Sequence, residues 1–470
     1  MKLIRCGIAL FAATLAVTGC ASPAADPAPT PGSPKVATLV VPRFNGGSLP
    51  TDPESQEQFW IRRGFPAAQL QLGPTYDQLI SDLAKASGSA ARIIGASYDW
   101  RMPGAPPQPI DDGKVEGLLA HWNDPQAASV FEYAVDYLRY WLVQAAAASP
   151  GSTEVNVVAH STGVSVVRAY LQSDAYGQSV LAPDGTRITL PKIGKLILAS
   201  PPQEGAPFVW NLWNGNFASF RDAARGADVF AGYTRAYRFV LAGGTITGPA
   251  GDITRADLKG KGLARQVSFL RAYNPLFRIV LPTSPFLYPV SQAGQNPATI
   301  NDTANRNELL LDLNADSEPG RNPWTSLAGS VTVTYPVHVL ADPSAPDSAT
   351  VPTNVMDQAE KGTGGQIMPF TAFASSDRKT IPTAPGQLWY REIFEPDNGD
   401  GAFPQSSMQR MFFTSTGQPD GDITIQQWGN GASPQTHGKE SWVSADGNLS
   451  HNLFIENPQI TAWISSQIAD

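Results

Sequence analysis

Residues 155–171 read VNVVAHSTGVSVVRAYL. The opening VNVVAH is a β-branched, apolar run suited to a buried strand. From Thr162 onward, Val164, Val167 and Leu171 fall on one face of a helix. Between the two lies Ala159-His160-Ser161-Thr162-Gly163, a small-x-Ser-x-small turn. A strand that turns directly into a helix has no space for a large side chain at either end of the turn. The strain lifts the serine hydroxyl above the sheet edge. The Thr162 amide and the positive end of the helix then aim at one spot, where an oxyanion would form. Ser161 is therefore the candidate nucleophile. The plainer alternative, a hydroxyl that only decorates a turn, is disfavoured by the strand and helix on its two sides.

Outward from this turn, strand and helix alternate. Residues 35–42 (KVATLVVP) and 194–200 (GKLILAS) read as buried strands, and 91–101 (ARIIGASYDWR) as a strand running into a loop. Residues 128–148 carry Val130, Ala134, Tyr137, Leu138, Trp141 and Leu142 at helical spacing, and Pro150-Gly151 stops that helix. Strands that are apolar throughout predict an α/β fold, with a mostly parallel sheet covered by helices on both faces. Residues 201–330 are irregular, with Trp210, Trp213, Phe217, Phe220, Tyr233 and Tyr237 scattered among Gly and Asn, and read as an inserted cap. Residues 330–341 return as a strand, and 410–425 as a further strand and turn. The last helix opens with Asn457 as cap and Pro458 at its first position, and Ile460, Ile464 and Ile468 form its stripe.

A serine needs a base, and the base needs a carboxylate to orient it. In a hydrolase built on this turn the chain order is Ser, Asp, His. His451 lies in a loop before the last helix and is preferred over His437. His338 sits mid-strand, His121 precedes the serine, and His160 beside it points away and reads as a packing residue. For the acid, PDGD at 419–422 offers Asp420 and Asp422 in a glycine-containing turn.

Several of these segments together resemble the lecithin:cholesterol acyltransferase-like branch of the α/β-hydrolases. VVPRFNGGS (40–48) resembles the first strand and oxyanion loop, and ASYDWRMP (96–103) resembles the family's A-P-Y-D-W-R-x-x-P. VVAHSTG (157–163) resembles the nucleophile turn, and RIVLPTSPFLYP (278–289) a cap segment. PDGDITI (419–425) resembles G-D-G-T-V, and LSHNLFIENPQITAWI (449–464) the catalytic-histidine segment. The resemblance implies an α/β-hydrolase fold and an acyl-enzyme mechanism. It implies a triad of Ser161, Asp422 and His451, with the Thr162 and Phe44 amides as oxyanion donors. Two departures stand out. Arg43 replaces the glycine after the first-strand proline, and no cysteine is present to tie a lid around Phe59-Trp60-Ile61 as in the mammalian members. Asp99, Trp100 and Arg101 read as a structural hub near the site rather than as substrate contacts.

The N-terminus reads as an export signal. Lys2 and Arg5 precede an apolar run at 8–17, too short for a membrane span, and the run ends in Val17-Thr18-Gly19-Cys20. That ending resembles a bacterial lipobox, which implies cleavage after residue 19 and lipidation of Cys20. Residues 20–34 form a tether rich in Ala, Pro and Ser. The expected organisation is thus a signal at 1–19, a tether at 20–34 and a hydrolase domain at 35–470. The chain has 2 cysteines, Cys6 and Cys20, so no disulfide is expected in that domain. The formal charge of −8 becomes about −10 once Lys2 and Arg5 leave with the signal, which argues against nucleic acid as a partner. No metal-spaced Cys/His cluster is present, and neither a metal nor a cofactor is expected.

The expected function is an exported, membrane-anchored serine esterase, lipase or O-acyltransferase acting on lipid acyl esters. Two other readings stand beside it: a non-catalytic lipid-binding lipoprotein on the same fold, and an esterase for small or cell-wall esters. The oligomeric state is left open.

Overall fold

A computed structural model describes residues 36–44, 48–127, 130–182, 184–206, 209, 213, 223–283, 287–289, 306–315, 330–336, 380–382, 388–391, 399–400, 402–403, 405–410, 412, 423–429, 440–447, 449 and 451–469. Residues 1–35, where a signal, Cys20 and a tether are expected, lie outside these residues, as do His338, His437, Asp420 and Asp422.

Seven strands form the main sheet: β1 (Ala37–Val41), β2 (Ile93–Gly95), β3 (Glu154–His160), β4 (Lys192–Ala199), β5 (Ser330–Pro336), β6 (Thr424–Gly429) and β7 (Ser441–Ser444). Their spatial order is β2-β1-β3-β4-β5-β6-β7, and every neighbouring pair is parallel. The chain passes from β1 outward to β2 and returns to the other side of β1 as β3. The order therefore reverses between β1 and β3, and the crevice at their carboxyl ends is where such sheets bind ligands.

The apolar strands are explained by the pleat. Leu39, Val41, Val157, Ala159, Leu196 and Leu198 face one core, while Val40, Val158, Ile197 and Ala199 face another. Successive residues of a strand point to opposite faces, so burial on both sides demands an unbroken apolar run. Helices cover the two faces. On one lie α2 (Asp77–Ser87) and the final helix α7 (Pro458–Ala469). On the other lie α3 (Ala134–Ala148) and α4 (Thr162–Leu171). The stripe Ile460, Ile464 and Ile468 is buried, and Asn457 Oδ1 accepts the Gln459 amide at 2.9 Å, as a cap should.

One element boundary and one edge strand differ from the sequence reading. The helix expected from 128 starts at Ala134, because the Asp136 carboxylate takes the Glu132 and Tyr133 amides, each at 2.9 Å, and closes the N-terminus there. Of the segment 410–425, residues 410, 412 and 423–425 are described, and a strand begins there at Thr424. The edge strand β7 has no counterpart in the sequence reading.

The longer elements in the described part of 201–329 are the helices α5 (Ala223–Leu241) and α6 (Leu263–Tyr273), beside loops and the short strand Leu287–Pro289. The segment carrying Phe59 and Trp60 is the C-terminal end of α1 (Pro53–Ile61). It is held without a disulfide. Arg101 donates to the Phe59 carbonyl and, at 2.9 Å, to the Arg62 carbonyl, while Tyr273 of α6 donates to the Trp60 carbonyl at 2.8 Å. No helix among the described residues is long and apolar enough to cross a membrane.

Candidate active site

Ser161 sits at the carboxyl end of β3, immediately before α4, with φ +56° and ψ −127°. A non-glycine residue in this region is strained, which marks a turn held by its surroundings. The holding contacts are explicit. The Ser161 amide donates to the Ala199 carbonyl at 2.9 Å, and the Val164 amide to the Ser161 carbonyl at 2.9 Å. Gly163 is obligatory for space: a Cβ there would lie 2.6 Å from the Val41 carbonyl oxygen and 2.7 Å from that of Pro42.

His451 stands between Ser161 and a carboxylate. Its Nε2 is 2.8 Å from Ser161 Oγ, and its Nδ1 is 2.6 Å from Asp400 Oδ2. A carboxylate only accepts, so Nδ1 carries the proton. In the neutral ring Nε2 then presents a lone pair to the serine hydroxyl. All three residues are buried.

The carboxylate is the correction to the sequence reading. Asp422, the residue expected to orient His451, lies outside the described residues. The Nδ1 proton is already taken by Asp400, which also receives the Ala402 and Phe403 amides on Oδ1 at 2.9 and 2.8 Å and the Ser200 hydroxyl on Oδ2. Burial pushes the Asp400 pKa up, but the His451 ring, the Phe403 amide and the Ser200 hydroxyl outweigh it and hold the carboxyl below its ordinary value. A signal for Asp400 is present in the sequence. Gly399-Asp400-Gly401 contains the same G-D-G that the resemblance seeks at 419–422. Ser200 has no such signal. It closes β4 with φ +52°, the second strained non-glycine residue among those described.

The two expected oxyanion donors are adjacent but unequal. Thr162 opens α4, and the first amide of a helix has no intrahelical acceptor. The Phe44 amide is engaged: it donates to Thr162 Oγ1 at 2.7 Å. Thr162 Oγ1 is in turn 3.0 Å from Tyr98 Oη, and Tyr98 donates to the Pro42 carbonyl at 2.9 Å. With the tyrosine proton committed to Pro42, the threonine hydroxyl donates to the tyrosine. An oxyanion can gain the Phe44 amide only by displacing the Thr162 hydroxyl.

The remaining candidates find their partners elsewhere. Asp99 and Arg101 form a fully buried ion pair, 2.7 Å between Arg101 Nη2 and Asp99 Oδ2, and Asp99 also accepts the Gly64 and Phe65 amides at 3.0 and 3.2 Å. Trp100 packs among Phe59, Trp60 and Tyr233. Together they form a buried cluster of an ion pair and aromatic rings. His121 pairs with Asp136 on α3. His160 is more than a packing residue: its Nε2 lies 3.1 Å from the His451 carbonyl. Among the described residues, Asp111, Asp112 and Asp312 bring carboxylate oxygens within 4.8 Å of one another. Asp312 Oδ1 accepts the Asp111 amide and Lys114 pairs with Asp112, so local hydrogen bonds account for that cluster.

No family model and no curated protein matches the chain. Among solved structures, lipase 1 from Pelosinus fermentans is similar over 92% of this chain and 99% of its own, at 11% identity and a TM-score of 0.26. At that level too little backbone superposes to carry anything over to the site.

Proposed function

We propose that this chain is a serine hydrolase that forms an acyl-enzyme on Ser161. One observation carries the reading: a buried imidazole spans 2.8 Å to the strained serine and 2.6 Å to a buried carboxylate. Nε2 of His451 takes the Ser161 proton as Oγ attacks an ester carbonyl. Asp400 holds the ring and stabilises the imidazolium. The Thr162 amide, joined by that of Phe44, receives the oxyanion. The imidazolium then protonates the leaving alcohol, and water or a second alcohol resolves the acyl-enzyme.

An acyl ester of a lipid is the favoured substrate. Phe44, Phe277 and Phe403 support this, since Phe44 and Phe277 meet edge to face at 5.0 Å and Phe403 lies 4.4 Å from the His451 ring. Apolar walls beside a nucleophile suit an acyl chain. Gly399-Asp400-Gly401 supports the resemblance to lecithin:cholesterol acyltransferase-like proteins better than 419–422 does. The proposal extends to an exported enzyme anchored through Cys20.

The test is labelling of the signal-free protein with a fluorophosphonate, followed by a chain-length series of p-nitrophenyl esters. Wild type should label, with Ser161→Ala and His451→Ala dark but folded, and long chains should be preferred. A folded wild type that stays dark even in detergent micelles would overturn the enzyme reading in favour of a binding module. A preference for acetyl esters would overturn the lipid reading alone.

A further inference from the structure

His160 and Tyr76 are buried polar residues that touch no reacting atom. Their hydrogen bonds nonetheless admit only one arrangement. His160 Nε2 faces the His451 carbonyl at 3.1 Å, and a carbonyl only accepts, so Nε2 carries the proton. Nδ1 of the neutral ring is then an acceptor, and Tyr76 Oη, 2.9 Å away, must donate to it. The Tyr76 oxygen in turn accepts the Arg43 amide at 2.8 Å. The result is a directed chain from the Arg43 N–H through the Tyr76 hydroxyl and the His160 ring to the His451 carbonyl.

This chain completes a clamp. The His451 amide donates to the Asp400 carbonyl at 2.8 Å, so both main-chain polar groups of His451 are held. One is held by the residue that supplies the carboxylate, the other by the neighbour of the nucleophile. The His160 ring also packs 5.1 Å from the His451 ring and 5.3 Å from Phe454. At the far end, Arg43 immediately precedes the Phe44 amide that lies against Thr162.

We propose that His160 and Tyr76 are positioning residues that fix the His451 imidazole and the Arg43–Phe44 backbone relative to Ser161 as one unit. The inference rests on the Ser161–His451 reading of the site. It follows from geometry: Ser161 is anchored by β3 and α4, whereas His451 hangs on a loop, and His160 is the residue of β3 that reaches that loop. A small displacement of a catalytic group costs far more rate than binding.

The side-chain amides of glutamine and asparagine separate the two ring nitrogens. His160→Gln keeps a donor near Nε2, whereas His160→Asn keeps an acceptor near Nδ1 and loses the bond to His451. Steady-state turnover of a p-nitrophenyl ester should fall in kcat by about 10- to 100-fold for His160→Asn with KM little changed, and His160→Gln should recover most of it. Tyr76→Phe should lower kcat, and the double variant Tyr76→Phe/His160→Asn should be no worse than His160→Asn, because the two act in one chain. Equal kcat for the Asn and Gln variants, or additive losses in the double variant, would overturn the inference.

A second readout needs no activity. In the ¹⁵N-histidine spectrum of the wild type at neutral pH, His160 should be a neutral Nε2–H tautomer. An Nδ1–H tautomer would overturn the chain itself. If wild type fails to label with fluorophosphonate while this tautomer is present, the enzyme reading has failed and the hydrogen-bond chain has not. If wild type labels and the Asn and Gln variants are alike, only the positioning role has failed.

Discussion

Asp400 and Asp422 both follow a glycine, and the sequence reading chose Asp422. Asp400 is buried, takes two backbone amides and a serine hydroxyl, and meets His451 Nδ1. Asp400→Asn should lower kcat by about 10⁴-fold, because an amide at this place favours the wrong imidazole tautomer. Asp422→Asn should leave turnover near wild type, and equal losses in ester hydrolysis would return the role to Asp422. His160 adds a pH signature. Burial, then the nearby His451 and Arg43, hold its pKa well below the ordinary histidine value. Above about pH 6.5 neither folded nor unfolded chain binds a proton there. Below it the unfolded chain does and the native does not, so stability falls as pH falls toward the depressed native value. Urea unfolding at several pH values should show that slope reduced in His160→Gln by up to about 1.4 kcal/mol per pH unit. An unchanged slope would mean that His160 protonates in the fold.

At the level of elements, the turn between β3 and α4 depends on one missing atom. Gly163→Ala would drive a Cβ against the Val41 and Pro42 carbonyls, both backbone and neither free to yield. The expected cost is about 1–3 kcal/mol in a denaturant melt, with most activity lost because β1 and the Arg43–Phe44 segment must shift. Full activity in this variant would contradict the close approach of α4 to the end of β1. This turn was legible in the sequence because its requirements are local: a strand, a strained residue, a small side chain and a helix are all set within a few positions. The start of α3 was less legible. Helical spacing runs back to residue 130, but Asp136 reaches back to cap at Tyr133. Periodicity carries no record of where a side chain turns back on its own backbone.

Across the molecule, the Asp99–Arg101 pair ties β2, the end of α1 and α6 together. Arg101 reaches Phe59, Arg62 and Tyr273, and its guanidinium lies 3.6 Å from the centre of the Phe59 ring. Arg101→Leu would leave Asp99 buried and unpaired, at a cost of about 3–5 kcal/mol. The double variant Asp99→Leu/Arg101→Leu should be less destabilised than Arg101→Leu alone, and limited proteolysis should cut the single variant first between residues 53 and 65. If the single variant unfolds like wild type, the hub is not what holds α1. Arg168 plays a comparable part at the far end of α4, bonding Gln203 at 2.7 Å and the Leu313 carbonyl at 2.9 Å, with burial pushing its pKa down to about 9.

The sequence by itself determined the α/β class and singled out the turn at Ser161 and His451 as candidates, since apolar periodicity, tight turns and chain order are written in neighbouring residues. The tertiary structure alone decided which described aspartate meets His451, that Ser200 and His160 contact these two residues, and that Arg101 and Tyr273 hold the end of α1. Those contacts join residues 39 to 291 positions apart. Their partners are selected by burial, and by the need of each buried donor for an acceptor, which no local pattern records.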